Sequence, residues 1–143
     1  MTLVDDSQQP LNLVLFSGTD DKLQAAAVLT AGAAALGRPV NIFLQYWALD
    51  AFRTTRITAD HGLAPEAGAP GRAAVDALRL AGQASWADTL RQAKELGGVD
   101  IEACTLSMDL LHLQPTDLDP LVDGVEGVTA FYLNAGEGQV VFI

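Results

Sequence analysis

The sequence predicts a single-domain α/β fold, an open and mainly parallel sheet of about five strands with helices on both faces. Three observations carry that prediction. Residues 11–16 (Leu-Asn-Leu-Val-Leu-Phe) and 38–44 (Arg-Pro-Val-Asn-Ile-Phe-Leu) are nearly unbroken apolar runs. Strands covered on both faces read this way, whereas a strand with one wet face alternates. Between them lies an alanine-rich stretch long enough for a crossover helix, and strands keep alternating with helices until residues 139–143 close the pattern. The chain of 143 residues has the usual length of one domain, enough to bury roughly 70% of its unfolded surface.

The elements follow in order. After the first strand, Ser17-Gly-Thr-Asp-Asp21 reads as a turn in which Thr19 or Asp20 caps a helix running to Leu36, and Gly37 supplies the left-handed stop. Residues 38–44 then complete a βαβ unit with the expected right-handed crossover. The strand empties into the aromatic-rich residues 45–53, which begin a short helix at the carboxyl edge of the sheet. Residues 54–85 change character. No hydrophobic period spans 58–72, one short helix is expected at 73–80, and the excursion reads equally as a functional lid or a mobile segment.

Ser85-Trp-Ala-Asp88 is a variant capping box that opens a helix. Trp86, Leu90, Ala93 and Leu96 form its expected buried face, and Gly97-Gly98 ends it. Residues 99–104 make the third strand, ending on Cys104, the only cysteine, and a short helix with Ser107 as N-cap follows. Residues 115–120 are a turn or short helix, 122–125 a brief strand, 128–135 a helix and 139–143 the last strand.

Composition narrows the function classes. Half the residues are hydrophobic and 18% charged, as in a packed globular protein. A net charge of -10, with eight Lys and Arg in all, leaves no basic stripe to neutralise phosphates, so neither nucleic acid nor an anionic membrane is an expected partner. Residues 1–10 lack the cationic start and apolar stretch of an export signal, and residues 25–37 are too short for a membrane span of roughly 20 residues. A lone cysteine makes no internal disulfide, and a cytoplasmic location is expected. His61 and His112 have no spacing that pairs them with Cys104, so no metal site is expected.

Cys104 is the side chain with intrinsic nucleophilic ability. Free cysteines are often buried and behave as small hydrophobes. This one stands at a strand end just before a helix start, where backbone amides favour thiolate over thiol. The run Ala103-Cys-Thr-Leu-Ser-Met-Asp-Leu-Leu111 resembles the Ala-Cys-x-Met-Ser-Met-Asp-Leu signature of the DsrE/DsrF-like family, also labelled sulfur-reduction or peroxiredoxin-family proteins. Phe16-Ser-Gly with Asp21-Lys22, Ile42-Phe43 running to Trp47, and Tyr132-Leu133 ahead of Val141-Phe-Ile143 agree in the same order. Leu106, Ala48 and residues 54–85 depart from the pattern.

The resemblance implies flavodoxin-like layering and a homo-oligomer, trimer or hexamer. It also implies a cysteine-dependent sulfurtransferase or sulfur-relay subunit that carries sulfane sulfur on Cys104 as a persulfide. Ser17, Gly18, Trp47, Ser107 and Asp109 are the expected supporting residues; no metal or redox cofactor is called for, and rhodanese-like or TusA-like proteins are the expected sulfur donor and acceptor. Two other readings stay open. One is an assembly or interaction subunit with an inert thiol; the other is a small-anion or nucleotide binder using the loop from Ser17 to Asp20.

Overall fold

The computed structural model describes residues 9–143; the reading of the amino terminus as lacking an export signal falls mostly on residues 1–8, outside the described residues. Among the described residues five strands form one sheet: β1 (Leu11–Leu15), β2 (Val40–Leu44), β3 (Val99–Cys104), β4 (Gly124–Glu126) and β5 (Val140–Phe142). Their order is β4-β3-β2-β1-β5 and every pairing is parallel. Each of the five strands expected from the apolar runs is present. β4 sits slightly later than residues 122–125, because Val122 is still in a turn, its amide bonded to the Asp119 carbonyl.

The two sheet faces are covered unequally. Helices α1 (Asp20–Ala35) and α4 (Trp86–Leu96) lie together on one face. Leu11, Leu13, Leu15, Val40, Ile42, Leu44, Ile101 and Ala103 point to them, joining Leu23, Ala26, Ala27 and Leu90 in the main core. Alanine is what lets α1 lie close: its buried positions include Ala26, Ala27, Ala33 and Ala34. Thr30, also buried, satisfies its hydroxyl by donating to the Ala26 carbonyl at 2.8 Å. Gly37 has φ +75°, the left-handed stop expected from its position.

Among the described residues, the second face carries only α6 (Val128–Ala135), which takes the chain from one edge strand across to the other. Phe131 of α6 stacks on Phe43 with ring centroids 5.0 Å apart. The end of α6 is fastened by an amide buried in the sheet. Asn12 donates through Nδ2 to the Ala135 and Gln139 carbonyls at 3.2 and 3.1 Å, and its Oδ1 accepts from Asn41 at 2.9 Å. A polar residue inside a buried strand is tolerable only with such complete pairing.

Residues 54–85 are ordered by specific contacts. After α2 (Tyr46–Ala51) the chain turns, makes a 3-10 turn at Pro65–Ala67 and enters α3 (Gly68–Leu80), which starts five residues before the helix expected at 73–80. Pro70 and Gly71 hid that start, yet proline in a first helical turn loses no hydrogen bond. Two arginines tie α3 down. Arg79 pairs with Asp20 at 2.9 Å and Arg72 with Asp60 at 2.6 Å. The Arg72 guanidinium and the Gly62 amide hold the Asp60 carboxyl well below the usual carboxylate range.

The Ser85 side chain caps α4, accepting from the Asp88 amide at 3.1 Å. Trp86, Leu90 and Ala93 are buried as expected, but Leu96 is 62% exposed. It is the last residue of α4, and the helix ends there on Gly97, φ +92°, at the rim of the core.

Candidate functional site

Cys104 is the last residue of β3 and the N-cap of α5 (Thr105–Leu110). Alternation along β3 sends Val99, Ile101 and Ala103 to the main core and Asp100, Glu102 and Cys104 to the other face. There the thiol packs with Phe43, Phe131 and Val14 and is 5% exposed. Strand ends of this kind are where ligands meet an open parallel sheet.

Ser107 is not the N-cap of α5. The helix begins three residues earlier because Cys104 already has the extended backbone, φ -70° and ψ 123°, from which helices start. Ser107 lies inside the first turn, fully buried, and its Oγ accepts a 3.0 Å hydrogen bond from the Tyr46 amide. It therefore joins α5 to α2, and it anchors Tyr46 in a left-handed conformation, φ +45°. Asp109 is exposed on α5.

Gly18 has a steric reason rather than an anionic one. A Cβ there would collide with the Trp47 carbonyl oxygen, so glycine permits the loop after β1 to touch the start of α2. Trp47 is 55% exposed, with its ring edge-on to Tyr46 at 5.9 Å. Ser17 shares a 3.3 Å hydrogen bond with Thr19, whose side chain does not cap α1. At the carboxyl ends of β1 and β5 the Phe16 ring lies 4.8 Å from Tyr46 and 5.7 Å from Phe142. Ser17, Gly18 and Trp47 thus gather at the end of β1, and Ser107 links that corner to the helix after Cys104.

Two acids escaped the sequence reading. Glu126 is the register partner of Cys104 on β4, and Glu102 precedes the cysteine on the same face of β3. Burial, helped by the negative charges of Asp100, Glu126 and Asp123, pushes the Glu102 carboxyl up to about 7. Burial and Asp100 also raise Glu126, against a hydrogen bond from Asn134 at 3.2 Å. The alternation Val-Asp-Ile-Glu-Ala-Cys was the signal for Glu102; Glu126 needed the strand pairing. Gly124 lies opposite Glu102, whose carboxylate end rests where a Cβ would stand, so a side chain there would push that carboxylate aside.

Of the two histidines, His112 is exposed at φ +55° after α5, where the chain reverses. His61 donates its amide to Asp20 at 3.0 Å and sets its ring 6.0 Å from Trp86. Among the described residues no group of His, Cys, Asp and Glu is arranged to hold a metal ion, and no helix is long and apolar enough to cross a membrane.

The DsrE/DsrF/DrsH-like family model matches residues 7–69, from before β1 into the start of α3. The uncharacterized protein YrkE of Bacillus subtilis (strain 168) is 32% identical over 149 residues, covering 90% of this chain and 92% of its own. The chain belongs to the DsrE/DsrF/DrsH-like family. Solved structures agree at the level of fold. The crystal structure of the ychN protein from E. coli superposes with a TM-score of 0.56 at 13% identity, covering 95% of this chain and 99% of that one. MTH1491 from Methanobacterium thermoautotrophicum, a protein of unknown function, gives 0.50 at 14% identity over 95% and 100%. For this member of the DsrE/DsrF/DrsH-like family, the matched segment holds Ser17, Gly18 and Trp47, while Cys104 lies beyond it.

Proposed function

We propose that this protein is a persulfide-carrying sulfur-relay subunit with Cys104 as the sulfur-accepting thiol. The observation that carries the reading is the place of the only cysteine, at the carboxyl edge of β3 and directly ahead of α5, in a chain of the DsrE/DsrF/DrsH-like family. The Cys104 thiolate attacks the outer sulfur of a donor persulfide, an S–S bond forms on Cys104, and the donor leaves as a thiolate. An acceptor thiolate then attacks that outer sulfur and Cys104 returns as thiolate, so no outside oxidant or reductant enters. The residues that shape the approach are Ser17, Gly18 and Trp47, and Ser107 holds α5 against α2. Sulfur donor and acceptor proteins of the rhodanese-like or TusA-like kind, in the cytoplasm, complete the relay.

The assembly is part of the same proposal. A parallel sheet is normally covered on both faces, and here, among the described residues, one face has a single helix of eight residues. Val140, Phe142, Tyr132 and Leu133 remain 47–78% exposed around it. A second copy of the chain is the occupant this supports, in a trimer or hexamer, and sizing in solution tests it; a clean monomer counts against it.

One observation favours a second reading, an assembly subunit with an inert thiol: Cys104 is only 5% exposed and wedged beside Phe43 and Phe131. Intact-mass measurement after incubation with thiosulfate or a polysulfide separates the two. Gain of sulfur on the wild type, reversed by reductant and absent from Cys104→Ser, is the expected result. No gain with either donor, together with slow alkylation of folded Cys104, sinks the carrier reading.

A further inference from the structure

The arginines that tie down α3 leave a space beneath it. Between α3, residues 57–60 and the amino-terminal ends of α1 and α4 lies a cavity of about 520 Å³, within the roughly 300–1,000 Å³ usual for small-molecule sites. Cys104 is not among its walls.

The helix that roofs the cavity is unusual in what it packs against. None of the residues of α3 is buried. Its apolar residues Val75 and Leu78, three apart and so on one side, face the cavity opposite Ile57 and Trp86. An amphipathic helix ordinarily sets its apolar side on a core. Here the ion pairs Arg79–Asp20 and Arg72–Asp60 fix the helix at a distance from the body, and its apolar side borders the cavity instead. The opposite wall is rigid. Trp86 donates through Nε1 to the buried Asp20 at 3.0 Å and is backed by Phe52 at 5.0 Å between ring centroids.

The charges around the cavity select against anions. Asp20, Asp21, Asp60 and Asp88 line it against two arginines. Arg79 is engaged by Asp20 and Asp60, and Arg91 by Asp88 and Asp119, so neither cation is left for a bound acid. The uncharged side chains of Gln24, Thr58 and Gln83 supply hydrogen-bonding groups. We propose that this cavity is a binding site for a small ring-bearing organic molecule, uncharged or cationic, with α3 as its roof. Binding would bury Val75 and Leu78 against the ring and set it at the small edge of Trp86 that reaches the cavity.

Three probes of one ring system test this on the full chain: indole, tryptamine and indole-3-acetate, followed by calorimetry and by hydrogen exchange. Saturable binding of indole and tryptamine is expected, with slowed exchange in residues 57–60, 68–80 and 84–88 and unchanged exchange around Cys104. Indole-3-acetate should bind at least about tenfold more weakly, the penalty of roughly one unpaired charge at a partly wet site. Leu78→Asp should weaken indole by about tenfold, the loss of one apolar contact converted to affinity, whereas Val28→Asp, at an exposed apolar position on α1, should leave it unchanged. The proposal is overturned by absence of saturable binding of indole and tryptamine, by equal binding of the acid, by protection elsewhere, or by equal loss in both variants. None of these outcomes depends on whether Cys104 carries sulfur.

Discussion

The two faces of the sheet are built on different terms. On the face under α1 and α4, alternate residues of three strands are leucine, isoleucine, valine and alanine, and the helices above them contribute more of the same. On the face crossed by α6, the same strands offer Asn12 and Asn41, then Val14, Phe43 and Glu102, then Cys104. The first face needs only shape and apolar area. The second depends on polar groups that must each find a partner, and it carries every side chain of the sheet that can exchange a proton or a sulfur atom. Parallel register makes the contrast sharp, because neighbouring strands differ in side chain while their backbones are equivalent.

Substitution at adjacent residues of β1 tests the contrast most directly. Leu13 is fully buried on the first face, and Leu13→Ala should cost about 3–4 kcal/mol in urea unfolding, the usual penalty for a cavity in a tight core. Val14→Ala, one residue on and on the other face, should cost about 1–2 kcal/mol. Equal costs would mean that the second face is packed as tightly as the first.

Asn12→Ala comes next, at about 2–3 kcal/mol, because it strands the Ala135 and Gln139 carbonyls and the Asn41 amide at once. Its loss should appear locally as faster hydrogen exchange in α6, with α1 unaffected. Uniform loosening of both faces would break the assignment of Asn12 as the fastener of α6.

The smallest effect is a pH dependence. Glu102 titrates at about 7 in the fold against an ordinary value of 4.5. The folded state therefore holds a proton that the unfolded chain has released across that window. This contribution to stability is fully present below about pH 4.5 and is lost as pH rises through 7. Glu102→Gln, which cannot lose a proton, should be more stable than wild type at pH 8, by about 1 kcal/mol or a few degrees in Tm, and no more stable at pH 4.5. An advantage of the same size at both pH values would remove ionisation as its cause.

The architecture was legible because the apolar runs at β1 and β2 and the glycines at 37, 97 and 98 speak of local backbone alone. The early start of α3 was not, since Pro70 and Gly71 break the hydrophobic period while fitting a first helical turn. The candidate site divides the same way. Cys104 was placed correctly at the end of β3, but Ser107 was read as a cap from its residue type, when its hydroxyl serves the Tyr46 amide far away in sequence. Glu126 beside Cys104 and the cavity under α3 arise from pairings across long sequence separations, Arg79 with Asp20 among them, which no local pattern displays.

The strand order also sets a timetable for synthesis. β1 emerges from the ribosome first, yet one of its two edges is paired by β5, whose Val140 lies opposite Asn12. Until residues 140–142 leave the exit tunnel, the nascent chain presents β1 with that edge open, and α6 has no sheet-bound anchor at Gln139. The half of the protein that contains β2, β3 and Cys104 can assemble beforehand, so the interval before β5 docks is when a growing chain is most exposed to pairing with the wrong strand.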